Sequence, residues 1–191
     1  MNNISHGLTL VNQQIETFKA LGTLQLSIED EHLEGRTFTA KGKKLINFGS
    51  CSYMGLETDE RLKKSAIQAV KNFGAQYSSS RSFVQLGIYD ELESTFEKLF
   101  GKPTILAPST SMGHFSAIPV LVSNKDAVIL DQQVHASVRT GVKLVQVTGT
   151  HVEKIAHNDI VKLEKRIVEL SKEYDAVWYL ADGIYLSLIH I

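Results

Sequence analysis

The stretch TILAPSTSMGHFSAIPVLVSNKDAVILDQQVHAS, Thr104 to Ser137, decides how the rest of the chain is read. A short apolar run, Thr104–Ala107, meets a Pro-Ser-Thr-Ser turn, then a helix-like segment, then a second apolar run, AVILD. His135 stands four residues beyond that second run. Strand, polar turn, helix and strand in this order present backbone N–H groups to an anion at a helix N-terminus. Ser109, Thr110 and Ser111 could therefore hold a phosphate through amides and hydroxyls, or serve only as a helix cap. The stretch holds neither a Walker A loop nor a G-x-G-x-x-G fingerprint. Pro119 lies where the helix would continue, at a cost of ~3 kcal/mol in a helix interior, so the helix ends near Ile118 or kinks there.

Outward from this unit the pattern alternates. On the N-terminal side, Leu10, Ile15, Phe18 and Leu21 predict an arm helix ending at Gly22. RTFTA and KLINF flank Lys41-Gly42-Lys43, which reads as a hairpin. Thr58 opens a helix with Leu62, Ala66, Ala69, Val70 and Phe73 on one face and Gly74 as its stop. A polar, serine-rich loop carries Arg81, and a helix with Tyr89, Leu92, Phe96 and Leu99 on one face ends before Gly101. On the C-terminal side, LVQVT reads as a strand, and His157-Asn158-Asp159 caps a helix with Leu163, Ile167, Leu170 and Tyr174 inward. The strand AVWYL follows, ending near Asp182. Strands near 104, 127, 144 and 177 between helices predict an α/β fold, a mostly parallel sheet flanked by helices.

The chain has 191 residues, 43% of them apolar and 21% charged, with a formal net charge of −1. These are the values of an ordinary globular chain, and they favour neither nucleic acid nor a membrane surface as partner. The single cysteine, Cys51, fits a reducing compartment. The first residues lack a secretory pattern, and no apolar run approaches the ~20 residues of a membrane span. The expected location is cytoplasmic. His135 and Asp182 each follow the end of an expected strand, where α/β sheets place ligands. His114 stands at no recognisable metal spacing from other ligand types.

Several segments in series resemble the α-oxoamine synthase group of fold type I pyridoxal-phosphate enzymes. They are INFGSCSYMGL, FGAQYSSSRSF, YDELESTFEKLFGK, ILAPSTSMGHFSAI, DAVILDQQVHASVRTG, AHND and LADGIY, in the group's order from about Leu45 to Tyr185. The resemblance implies the large domain of aspartate aminotransferase-like, pyridoxal-phosphate-dependent transferases. It divides the chain into an arm with helix and hairpin at 1–45, the first half of the cofactor-binding domain at 46–185, and a tail at 186–191. That tail, LSLIHI, resembles translated adapter sequence. By the same resemblance Thr110 and Ser111 stand at the cofactor phosphate, His135 stacks on the pyridine ring, and Asp182 lies near the ring.

The implied reaction joins an amino acid to an acyl-CoA with loss of carbon dioxide, in a homodimer. The group's Schiff-base lysine belongs to a half that this chain does not contain, so no catalytic residue is assigned and the chain is expected to be inactive by itself. Alternatives are a non-catalytic partner subunit of the same fold and a class I/II aminotransferase. Three features depart from the group: Cys51 replaces an Asn, Thr110 and Ser111 replace a Gly and an aromatic, and the segment from Arg81 to Glu91 is about a residue shorter.

Overall fold

The computed structural model describes residues 2–50, 52–78 and 80–185, with side chains from Gly7 onward. Cys51 and the tail 186–191 lie outside the described residues, so the expectations placed on them are not addressed by the fold. The chain forms two compact units, Met1–Gln85 and Leu86–Ile191.

The first unit holds helix α1 (Asn2–Ala20), the hairpin β1 (Thr37–Ala40) and β2 (Lys43–Ile46), and helix α2 (Glu60–Phe73). The hairpin follows from its turn. Lys41 and Gly42 both take positive φ, 52° and 69°, as a two-residue loop needs if its twist is to match the strands. Strands β1 and β2 then pair antiparallel, Thr37 opposite Ile46. Asp59, rather than Thr58, caps α2 by accepting the Arg61 amide, and Gly74 ends the helix at φ 77°.

The second unit holds α3 (Gly87–Phe100), α4 (Thr110–Leu121), β3 (Ala127–Asp131), α5 (Ala136–Val147), β4 (His151–Ile155), α6 (Ile160–Leu170) and β5 (Val177–Leu180). Its sheet is parallel, in the order β4-β3-β5. Central β3 is buried at all five positions, as the unbroken run AVIL predicts for a strand covered on both faces. Val128 and Leu130 pack with Ile118 and Val122 of α4 and Val138, Val142 and Val145 of α5. Ala127 and Ile129 face the other way, toward Leu163, Leu170 and Tyr174. Gly141 sets the spacing of α4 and α5, because a Cβ there would lie 2.8 Å from Ile118 Cδ1 and 3.1 Å from the His114 carbonyl oxygen.

Two expected strands are corrected. LVQVT is the last turn of α5: Val138, Val142 and Val145 recur at helical spacing and are buried, so tertiary packing overrides the β-branched run. The strand is instead HVEKI, whose charge at Glu153 is taken up by Arg166 of α6 through N–H···O contacts of 2.9 Å. The segment Thr104–Ala107 has no ladder. Its amides are met from α3, Thr104 donating to Glu97 at 3.2 Å and Leu106 to Glu93 at 2.8 Å. Ile167 is 38% exposed, so of the four inward positions on and after α6 it is the one that faces out. Pro119 stays inside α4, which continues to Leu121 and closes with the Val122 amide donating to the Ile118 carbonyl.

Candidate functional site

The carboxyl edge of the parallel sheet gathers the functional candidates. After β3 the chain turns and enters α5, with His135 as N-cap. After β5 it reaches Asp182, whose Oδ2 accepts the His135 backbone N–H at 2.8 Å. The two residues read separately at two strand ends are thus in direct contact, though 47 positions apart. Helix α4 runs back toward the start of β3, so its N-terminus lies at the same edge. A bond fixes this: His114 Nδ1, in the second turn of α4, is 2.9 Å from Ser137 Oγ in the first turn of α5. Ser137 Oγ is also 2.7 Å from His135 Nδ1.

At the head of α4, Ser109 is the N-cap and its hydroxyl accepts the Met112 amide at 3.3 Å. The cap reading holds for Ser109. Thr110 and Ser111 occupy the first two helical positions, whose amides have no partner within a helix, and they add two hydroxyls. Neither α4 nor α5 has an acidic residue in its first turn. A donor-rich turn with the positive end of a helix dipole and no carboxylate suits an anion, and a phosphate monoester is such a group. The donor set fits the phosphate of pyridoxal phosphate.

Beneath this edge lies a second cluster that the sequence reading passed over. Asp131 ends β3 and is 1% exposed. Its carboxylate accepts the Gln133 amide at 2.7 Å and the Tyr179 hydroxyl at 3.1 Å, and pairs with His157 Nδ1 at 2.9 Å. Burial pushes the Asp131 carboxyl up. The bonds from the Gln133 amide, His157, Tyr185 and Tyr179 outweigh it and hold the group below the usual carboxylate range. Burial and the bond to Asp131 together raise the Tyr179 phenol to about 12. His157 also meets the Tyr185 ring edge-on, with centroids 4.5 Å apart. Read as part of a cap, His157 is instead a strut, while Asp159 alone caps α6 through the Lys162 amide. A carboxylate closing an otherwise apolar buried strand was the available signal, because a buried charge needs partners. Arg81, in the other unit, donates to Gln85 Oε1 at 2.7 and 2.9 Å.

Comparison with known proteins places the chain. The family model for aminotransferase class I and II matches residues 43–179. The chain belongs to that family. Its relatives bear out the resemblance to the α-oxoamine synthase group. An 8-amino-7-oxononanoate synthase from Treponema denticola is 27% identical over 97% of this chain and 46% of its own length. A serine palmitoyltransferase from Bacteriovorax stolpii is 32% identical over 81% of this chain and 37% of its own. The chain therefore spans less than half the length of the curated relatives it matches. Among solved structures, a serine palmitoyltransferase from S. paucimobilis with bound PLP-myriocin aldimine superposes with a TM-score of 0.82, covering 98% of this chain and 47% of that one. At 23% identity the likeness establishes the fold, that of the pyridoxal-phosphate-dependent transferases expected from the sequence. Among the described residues no helix is long and apolar enough to cross a membrane.

Proposed function

We propose that this chain is the first half of a pyridoxal-phosphate-dependent acyltransferase that joins an amino acid to an acyl-CoA with loss of carbon dioxide. The observation that carries the reading is the convergence of the α4 N-terminus, His135 and Asp182 on one sheet edge, within a family whose relatives include 8-amino-7-oxononanoate synthase and serine palmitoyltransferase. In this reading residues 1–45 are the arm, 46–185 the first part of the cofactor domain, and 186–191 a tail foreign to it. The whole enzyme is a cytoplasmic homodimer.

Each residue has a task set by its chemistry. Thr110 and Ser111 hold the phosphate by amide and hydroxyl donors. His135 presents its exposed imidazole to the pyridine ring, on a backbone that Asp182 fixes by accepting its amide. Asp182 lies beside that ring, its Oδ2 committed to the His135 amide. When bound, the cofactor supplies the electron sink for a substrate carbanion, while the protein supplies orientation and electrostatics.

Titrating the chain with pyridoxal phosphate, read by ligand fluorescence, tests this assignment. A hydrogen bond to a charged group contributes about 1.5–3 kcal/mol, so Ser111→Ala weakens binding roughly tenfold or more. Unchanged binding in Ser111→Ala and in a Thr110→Val partner variant removes the phosphate assignment. Borohydride reduction of the same sample leaves no stoichiometrically labelled lysine, since the Schiff-base residue is assigned to the other half. One fully labelled lysine overturns that division of labour.

A further inference from the structure

The bond pattern around Ser137 carries information that neither the family nor the sequence supplies. Ser137 is 5% exposed and touches two imidazoles at once. Its backbone N–H lies 3.2 Å from His135 Nδ1. An amide can only donate, so in the neutral ring Nδ1 carries the lone pair and the proton sits on Nε2. The Ser137 hydroxyl, 2.7 Å from the same Nδ1, must then direct its single proton there. With that proton committed, Oγ is an acceptor toward its other neighbour, His114 Nδ1 at 2.9 Å, which must carry its own proton.

We propose that His114, acting through the Ser137 hydroxyl, is a positioning residue that locks His135 in its Nε2-protonated tautomer. The bonds run one way, from His114 Nδ1–H to Ser137 Oγ–H to His135 Nδ1. The reverse order would aim an Nδ1–H of His135 at the Ser137 amide, donor against donor. Three points fix His135: Asp182 on its amide, and the Ser137 amide and hydroxyl on its ring. The ring is left with its Nε2–H as the one donor directed away from α5. His114 serves as the source of the order rather than as a metal ligand or a group in contact with cofactor. The significance of this lock for a bound ring rests on the cofactor reading above; the tautomer itself does not.

The test is nitrogen NMR on the chain labelled with ¹⁵N-histidine, without pyridoxal phosphate. His135 should read as unprotonated at Nδ1 and protonated at Nε2, and His114 as the opposite. His114→Leu removes the donor to Oγ and frees the hydroxyl to accept. The Nδ1-protonated share of His135 then rises roughly fivefold, the weight of one ordinary hydrogen bond. His114→Asn keeps a side-chain N–H and restores the parent ratio, which a merely space-filling role would not do. A parent spectrum with the His135 proton on Nδ1 overturns the proposal by itself, whatever the variants do. So does a His114→Leu spectrum identical to the parent. Because no cofactor is present, either result leaves the phosphate assignment standing, and a failed cofactor titration leaves the tautomer lock standing.

Discussion

Helix α2 and strand β3 are both written clearly in the sequence, yet they end in opposite conditions. Helix α2 has an apolar face, an Asp59 cap and a Gly74 stop, and not one of its residues is buried. Leu62 is 52% exposed and Val70 56%. Strand β3 is five residues long and buried throughout, with a helix layer on each face. Local order in α2 comes from capping and helical spacing, which need no partner. The burial of β3, which its apolar run calls for, is completed by partners distant in sequence: β4 and β5 on its edges and α4, α5 and α6 over its faces.

The contrast predicts where substitution is felt. Ile129→Ala removes a fully buried side chain from the central strand and should cost about 2–5 kcal/mol. Leu62→Ala on the open face of α2 should stay within roughly 0.5 kcal/mol. Chemical denaturation of both variants checks this, and equal losses would erase the distinction between the two regions.

A smaller effect separates packing from charge within the sheet. Asp131→Asn keeps the shape but cannot accept all the donors aimed at the carboxylate, a loss of about 1–3 kcal/mol at neutral pH. The sign of the pH effect follows from the lowered folded-state pKa of Asp131. Its stabilisation is complete above the unfolded value of about 3.9 and is lost as pH falls through the lower folded value. The parent therefore weakens on the acid side, while Asp131→Asn should show a flatter acid limb in pH-dependent melts. An acid limb as steep as the parent's would detach Asp131 from this role.

The smallest expected change tests the join between α4 and α5. Gly141→Ala gains helix propensity of about 1 kcal/mol but sets its Cβ against the His114 carbonyl and Ile118, where overpacking costs about 1–3 kcal/mol. A net loss of about 1 kcal/mol is expected, with a weakened His114–Ser137 contact visible in histidine NMR. Gly113→Ala meets only Ala107 Cβ at an ordinary 3.6 Å and should not lose stability. A more stable Gly141→Ala would show that the helices have room to spare.

Much of the frame was legible in the residues. Lys41-Gly42 specified the hairpin turn, Gly74 and Gly101 the helix ends, and the AVIL run the doubly covered strand. LVQVT misled because β-branched residues suit both a strand and the buried side of a helix, and only contact with β3 and α4 decides between them. HVEKI was hidden for the complementary reason: its Glu153 reads as surface until Arg166 is brought beside it. Ser109–Ser111, His135 and Asp182 stood out individually, each by its place at a turn or strand end.

The features that can be read along the chain are local: caps, turns, the apolar strand, and the motif order that marks the aminotransferase class I and II family. Those signals depend on neighbours within a few residues, so one strand of text contains them. Folding in three dimensions is what sets Asp182 on the His135 amide, Ser137 between two imidazoles, and His157 and Tyr179 on Asp131. Hydrogen bonds act over about 3 Å, and parallel strand order is what brings residues tens of positions apart within that reach.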